Sequence, residues 1–86
     1  MKQYVVFGDF ATNRVGDGNW KGLAQLYDDC PNTLGKREFK TEEERMAYIQ
    51  GLNDAVGWME CWPLSKEELK KMSRYIRLTD IPNLSD

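Results

Sequence analysis

Hydrophobic residues form one short, unbroken run near the start of the chain. Residues 3–7, QYVVF, are apolar on both pleat faces, which predicts a central β-strand that is covered on both sides. The stretch that follows, residues 10–22, is rich in glycine and contains an Asp-Gly pair, a composition typical of turns. We therefore expect a strand that leads into a long irregular connection.

A helical spacing of apolar residues begins where the glycine-rich stretch ends. Asn19 is suited to cap a helix, and Pro31 prevents that helix from continuing. This pattern favours a helix of about ten residues. A hairpin that joins residues 10–15 to residues 20–27 is the alternative, because Gly22 and the acidic pair that closes the segment both disfavour a helix. The apolar positions are Trp20, Leu23, Leu26, Tyr27 and Cys30.

The middle of the chain carries an alternating segment and then the strongest helix signal. Residues 36–40, KREFK, have one polar and one partly apolar face, which predicts an edge strand. Thr41 and Glu44 form a capping box, and three glutamates lie where the helix dipole favours negative charge. We predict a helix over residues 41–56 that Gly57 ends. Its apolar stripe consists of Tyr48, Ile49, Leu52, Ala55 and Val56.

The last third of the chain repeats the order of strand and helix. Residues 58–63, WMECWP, predict a third strand that a proline ends. Ser65 and Glu68 form a second capping box, which predicts a helix over residues 65–77. The polar tail at residues 79–86 contains a proline and is expected to fray.

These elements predict one small α+β domain over residues 1–78, in which a sheet of three or four short strands packs against two to three helices. A chain of 86 residues is too short for two domains. No apolar run is long enough to span a bilayer or to act as a secretory signal. We therefore expect a cytoplasmic protein that does not bind membranes.

Histidine is absent from the chain, and this restricts its chemistry. Histidine is the usual acid–base catalyst near neutral pH and the commonest zinc ligand. The two cysteines, Cys30 and Cys61, lack the C-x-x-C spacing of redox and zinc motifs, so we expect buried free thiols. The composition favours a protein that is not an enzyme and that needs neither a cofactor nor a metal.

The formal net charge of −2 conceals a basic cluster near the end of the chain. Five positive and two negative side chains lie between residues 66 and 77, and their spacing places the cations on one side of the predicted helix. This basic cluster could bind the phosphates of a nucleic acid or an acidic protein surface. The sequence pI of about 5.1 makes nucleic acid the less favoured partner. The alternative is a solvated face that complements the helix dipole. We call this set the basic face, and it consists of Lys66, Lys70, Lys71, Arg74 and Arg77.

The third predicted strand supplies a second candidate surface. Trp58, Glu60 and Trp62 share one pleat face, which we call the tryptophan face. Two indole rings with a carboxylate between them are suited to anchor a protein partner or to stack on a flat ligand. The alternative is that a helix covers both rings as part of the core.

One segment resembles known proteins. Residues 39–58, FKTEEERMAYIQGLNDAVGW, resemble the strand–helix–strand stretch of small uncharacterised proteins of bacterial genomes, phages and mobile elements, in which F-x-T-E-E-E-R precedes D-A-x-G-W. That family has no established activity, so the resemblance assigns no functional residue. It implies a cytoplasmic accessory protein that binds a host factor. We therefore predict a small non-catalytic binding or regulatory module that engages a protein partner, with nucleic-acid binding through the basic face as the alternative.

Overall fold

The computed structural model describes residues 1–54 and 60–84. Within these ranges a three-stranded antiparallel sheet is combined with four α-helices, which confirms the predicted α+β class but exceeds the two to three helices expected. In chain order the elements are β1 (Lys2–Phe7), α1 (Asp9–Gly16), α2 (Trp20–Asp29), β2 (Leu34–Glu38), α3 (Glu42–Asp54), β3 (Cys61–Pro63) and α4 (Lys66–Met72), with single 3₁₀ turns at Pro31–Thr33 and Leu78–Asp80.

β1 is the central strand of the sheet, as its two apolar faces predicted. The strand order is β2-β1-β3, and both neighbours run antiparallel to β1. Val6 pairs with Leu34 on one side and with Trp62 on the other. Val5 and Val6 point to opposite faces, yet neither has any exposed surface. The sheet is therefore covered on both sides, and different helices cover each side.

The glycine-rich stretch forms a helix where the sequence predicted a turn. Gly8, with a φ of 97°, leads the chain out of β1, and α1 begins directly after it. Ala11, Thr12 and Val15 are buried on the inner side of α1. Burial of this stripe stabilises a helix that local composition does not favour, because tertiary packing outweighs intrinsic propensity. Only residues 17–19 remain as the turn.

α2 confirms the predicted ten-residue helix, so the hairpin alternative is wrong. The side chain of Asn19 accepts a hydrogen bond from the amide of Gly22 at 3.0 Å, as expected of an N-cap. Leu23 is fully buried on the inner side of the helix. Pro31 begins the 3₁₀ turn that follows and ends the helix, also as predicted.

The main hydrophobic core lies on one face of the sheet, under α1, α2 and α4. β1 contributes every second side chain to this face, beginning with Tyr4. Trp20 and Trp62 are half-buried at the margin of the core. The buried members are Tyr4, Val6, Ala11, Val15, Leu23, Leu34, Leu64, Met72, Ile76 and Ile81.

α3 lies on the opposite face of the sheet and covers it less completely. Its start is confirmed, because Thr41 Oγ accepts a hydrogen bond from the amide of Glu44 at 3.1 Å. Arg45 donates to the side chain of Gln3 on β1 at 2.8 Å. None of the residues Glu42–Asp54 is buried. The predicted end of this helix at Gly57 lies outside the described residues.

β2 is an edge strand, as predicted, but it begins and ends two residues earlier than expected. Phe39 follows the strand and packs on Tyr48 of α3, with ring centroids 5.2 Å apart. The guanidinium of Arg37 lies 5.3 Å from the centroid of the same tyrosine ring. This aromatic contact attaches the middle of α3 to the sheet.

α4 begins at the predicted capping box and ends earlier than predicted. Ser65 and Glu68 exchange the two reciprocal hydrogen bonds, at 2.9 and 3.2 Å. The helix ends at Met72 instead of continuing to residue 77, and the chain then turns so that Ile76 enters the core. None of the described helices has the length and the apolar character of a membrane span.

Residues 79–84 do not fray as the sequence predicted. Ile81 is only 2% exposed and belongs to the core. Lys36 of β2 donates its amide to the carbonyl of Pro82 at 3.1 Å, and its own carbonyl accepts from the amide of Leu84 at 2.9 Å. This one-residue parallel bridge protects the outer edge of β2. Apolar burial and edge pairing therefore outweigh the polar composition of the tail, whose residues 85–86 lie outside the described part of the chain.

Candidate functional site

An open groove lies at the end of the sheet, between the first turns of α3 and α4. Its volume is about 770 Å³, within the range of roughly 300–1,000 Å³ typical of binding clefts. Three separate segments meet there: the start of β1, the start of α3 and the connection from β3 into α4. We call it the α3–α4 groove. Its lining includes Gln3, Glu42, Arg45, Ile49, Lys66 and Leu69.

Gln3 forms the polar floor of the groove. It is only 3% exposed, and both ends of its amide are engaged. Its Nε2 donates to the carbonyls of Tyr4 and Leu64 at 2.9 and 3.0 Å, while its Oε1 accepts from Arg45 at 2.8 Å. A satisfied buried network of this kind fixes the positions of its members. One side chain therefore holds together the three segments that form the groove.

An ion pair between Arg45 and Glu42 lies at the rim, one turn apart on α3. Arg45 Nη2 contacts Glu42 Oε1, and Arg45 Nε lies 3.1 and 3.2 Å from the two carboxylate oxygens. The hydrogen bond from Arg45 lowers the pKa of the Glu42 carboxyl, and the charge of Lys66 lowers that pKa further. Glu42 and Lys66 are the first residues of α3 and α4, and both line the groove.

Apolar side chains form the two walls of the groove. Ile49 lines the α3 side, while Leu64 and Leu69 line the α4 side. Leu64 is buried and Leu69 is half-buried at the margin of the core. The Ser65 cap sets the residue at which α4 begins, and so fixes the position of its first turn. The positions of the walls therefore depend on the residues at which the helices begin, and the local sequence specifies those residues.

Positive charges predominate around the opening. Among the described residues, Lys2, Arg45 and Lys66 line the groove, against the single carboxylate of Glu42. Both lysines are exposed, and neither forms an ion pair with another residue of the described chain. Arg45 is already engaged by Glu42 and by the floor, so the two lysines carry the available charge.

The main chain of β1 offers a free position on the groove side. The amide of Leu64 donates to the carbonyl of Tyr4 at 2.9 Å, which shows that the main-chain groups of Tyr4 point toward β3. The direction of the main-chain amide and carbonyl alternates from one residue of a strand to the next. The main-chain groups of Gln3 therefore point toward β2, and those of Lys2 point toward β3. β3 ends at Pro63, before it reaches Lys2. The amide and carbonyl of Lys2 therefore face the groove without a partner strand in the described part of the chain.

The tryptophan face is only partly within the described residues. Trp58 lies outside them, Trp62 is half-buried against the core, and Glu60 is exposed. Thr12 of α1 donates to the Glu60 carboxylate at 3.2 Å. The strand side that carries Glu60 and Trp62 therefore faces α1. Partner binding through this face stays a prediction.

The basic face is present as exposed charge, but not as one helical stripe. All five of its side chains are exposed. Because α4 ends at Met72, Arg74 lies in a turn and Arg77 has an extended backbone, so helical spacing does not set the positions of these two residues. Lys66 is the one member of this set that also lines the α3–α4 groove. Its role in binding stays a prediction.

The cysteines do not match the expected buried thiols. Cys30 is exposed because it caps the end of α2 and precedes a surface turn, and Cys61 is half-buried. Burial, and secondarily the charge of Glu60, raises the pKa of the Cys61 thiol. A thiol with a raised pKa is protonated and weakly nucleophilic. Within residues 1–54 and 60–84 we find no group of three acidic, cysteine or histidine side chains that is arranged to hold a metal ion.

A shallower depression lies on the outer side of α3. Its volume is about 470 Å³, and its lining includes Met46 and Ala47. It shares Glu42 and Ile49 with the α3–α4 groove. Its described lining contains no lysine or arginine, so it offers apolar contact without the cationic rim.

The sequence indicated the helix starts that shape the groove, but not the groove itself. The spacing of Glu42 and Arg45 is that of a helical ion pair, and this signal was available. Nothing local connects Arg45 with Gln3, which lies 42 positions earlier in the chain. The floor of the site therefore becomes visible only in the folded protein.

Comparison of the chain with protein-family models, with curated proteins and with solved structures finds no match. The geometry of the α3–α4 groove is therefore the basis for a functional proposal.

Proposed function

We propose that this protein is a non-catalytic binding module that holds a segment of a protein partner in the α3–α4 groove. The observation that carries the proposal is an open cleft with apolar walls above a floor that Gln3 fixes through three hydrogen bonds. A cleft that is already formed avoids part of the entropy cost of ordering side chains on binding. An incoming apolar side chain would also remove Ile49 and Leu69 from water, which is favourable.

The packing of α3 supports this assignment. None of its described residues is buried, and none belongs to the main core. Tyr48 is engaged by Phe39 and Arg37, but half-buried Ile49 lines the groove, so an intermolecular contact with Ile49 disturbs no member of the core. Surface elements of this kind are common in binding regions, because stability is supplied elsewhere in the fold.

Nucleic-acid binding through the basic face is the second candidate. The observation that favours it is the exposure of all five cations. Phosphate contacts need only exposed charge, and their contribution falls steeply with salt. A Lys70→Glu/Arg74→Glu double variant separates the candidates, because neither residue lines the groove. We expect this variant to retain binding of the protein partner, whereas nucleic-acid binding would be lost.

The experiment that tests the proposal compares affinity capture from a native-cell lysate by three forms of the protein, with quantitative mass spectrometry. Ile49→Arg places a long charged side chain in the groove. Met46→Arg is the matched control, since it makes the same change one turn earlier on α3, outside the groove. Circular dichroism and thermal unfolding check that all three forms are folded.

We expect at least one protein whose recovery falls about tenfold with Ile49→Arg, equivalent to 1.4 kcal/mol of binding free energy, and stays unchanged with Met46→Arg. If no captured protein distinguishes the two arginine variants, the groove is not the binding surface. A separate capture with a folded Trp62→Ala variant would instead assign the function to the tryptophan face if recovery of the partner fell with that variant and not with Ile49→Arg.

A further inference from the structure

The charge, shape and free main-chain groups of the groove select one class of partner segment. We infer that the α3–α4 groove binds an extended peptide in which an apolar side chain is flanked by carboxylates. This inference rests on the proposed function and specifies the chemistry of its partner.

The charge of the groove favours an acidic partner. Lys2 and Lys66 line the opening and form no ion pair with the described chain, whereas Arg45 is held by Glu42 and Gln3. An acidic partner therefore meets two lysines that bring no competing intramolecular bond. Complementary charges of this kind increase the association rate and discriminate against basic segments.

The walls of the groove suit an apolar side chain of the partner. Ile49 lines the α3 side of the cleft, while buried Leu64 and half-buried Leu69 line the α4 side. An aliphatic or aromatic side chain placed between them loses its contact with water on both sides. A single anchor of this kind, surrounded by polar contacts, is the usual arrangement of an energetic hot spot.

The main chain of β1 offers a position at which an extended peptide can pair. The amide and carbonyl of Lys2 face the groove, and β3 ends before it reaches them. An extended peptide that continues the line of β3 would accept a hydrogen bond from this amide and donate one to this carbonyl. Strand addition at a free edge is a recurrent mode of peptide recognition, in which main-chain bonds supply affinity and side-chain pockets supply specificity.

The same observations disfavour a nucleic acid as the occupant. Single-stranded nucleic acids bind through exposed aromatic rings on which their bases stack. Among the residues that the structure describes, Tyr4 is the one aromatic residue that lines the groove, and it is buried. Aliphatic walls and a free strand position favour a peptide over a base.

The experiment is a selection from a random peptide library on the whole protein, with sequencing of the enriched peptides. Four forms are compared: wild type, Ile49→Arg, the charge reversal Lys2→Glu/Lys66→Glu, and the control reversal Lys21→Glu/Lys71→Glu. All four lysines are exposed, so neither reversal disrupts the core, but the control pair lies outside the groove.

We expect wild type and the control reversal to enrich peptides with Asp or Glu on both sides of an apolar residue. Lys2→Glu/Lys66→Glu should lose this preference and enrich Lys and Arg instead. In calorimetry, the best peptide should bind about tenfold more weakly when its carboxylates are replaced by amides, within the usual range for interface charge pairs.

The possible failures are distinguishable. If enriched peptides depend on Ile49 but show no acidic bias, or tolerate amides without loss, the groove binds proteins and the inferred chemistry is wrong. If no peptide distinguishes wild type from Ile49→Arg, the proposed function and the inference both fail. Retention of the acidic preference after Lys2→Glu/Lys66→Glu would also overturn the inference.

Discussion

The two faces of the sheet are covered in contrasting ways. On the face that carries Tyr4 and Val6, three helices and the C-terminal tail enclose a core of ten buried residues. On the face that carries Gln3 and Val5, α3 is attached by a hydrogen bond to Gln3 and by an aromatic pair, and none of its described residues is buried. The apolar side chains on the first face are enclosed, whereas some apolar side chains on the second face are open to solvent.

We propose that this difference separates stability from recognition. Burial of aliphatic side chains supplies most of the free energy of folding, and it is concentrated on the first face. The second face holds its helix in place by the hydrogen bond from Arg45 to Gln3 and by the contact of Phe39 with Tyr48, while Ile49 lines the groove and is only half-buried. A small domain can thus present an open apolar cleft without weakening its core.

The largest expected effect comes from equal truncations on the two faces. Leu23→Ala removes a fully buried side chain of the core and should destabilise the protein by about 3–5 kcal/mol. Leu52→Ala makes the same change on half-buried α3 and should cost about 1 kcal/mol. Urea unfolding of both variants measures the difference. Equal losses would show that the two faces contribute equally to stability.

The docked tail should give the next largest effect. Ile81→Ala removes a core side chain that lies beyond the last helix, and we expect a loss of about 2 kcal/mol. Thr79→Ala is the control, because Thr79 is exposed in the same segment. Denaturant unfolding again supplies the measurement. If both variants unfold like wild type, the tail contributes nothing to the core.

Thiol labelling should detect the difference between the faces without unfolding the protein. Cys61 is half-buried under α3, its Sγ lies 3.8 Å from the carbonyl of Leu52, and burial raises its pKa. We expect Cys61 in a Cys30→Ser protein to react about tenfold more slowly than Cys30 in a Cys61→Ser protein. Leu52→Ala should accelerate the labelling of Cys61 by loosening α3. Equal rates for the two thiols would show that α3 does not cover Cys61.

The smallest effect concerns the pH dependence of the rim. Arg45, and secondarily Lys66, lowers the pKa of Glu42 below its ordinary value near 4.5. A carboxyl with a lowered folded-state pKa stabilises the protein above its unfolded-state pKa, and this contribution is lost as the pH falls through the lowered value. The ion pair should therefore persist at neutral pH and disappear in acid, below about pH 4.5.

A carboxyl-carbon NMR titration of Glu42 checks this prediction. The pKa of Glu42 should be lower in wild type than in Arg45→Ala, and Lys66→Ala should raise it by a smaller amount. An unchanged pKa in Arg45→Ala would show that the ion pair does not persist in solution.

Local chemistry explains the elements that could be predicted from the sequence. The central position of β1 follows from its two apolar faces, and Asn19, Thr41 and Ser65 mark the starts of three helices by capping. These features depend on residues within a few positions of each other, so the chain itself displays them.

The elements that could not be predicted depend on distant contacts. α1 is stabilised by burial of Ala11 and Val15 against the sheet, which its glycine-rich surroundings conceal. The tail is docked because Ile81 enters a core formed by residues far away in the sequence. The groove requires Gln3 and Arg45 to meet across the fold. In α1 and the tail, packing between residues far apart in the sequence outweighs the local sequence preference. In the groove, a long-range hydrogen bond forms a feature that the local sequence does not indicate.

The most direct test of binding on the α3 face is an amide NMR map of the isotopically labelled protein with a peptide from the library selection. We predict that the shifted amides cluster at Lys2, Gln3, Arg45, Ile49, Lys66 and Leu69, with few changes in α1 and α2. A cluster on α1 and α2, or one confined to residues 70–77, would contradict the account and place recognition on the face that we assign to stability or on the basic face.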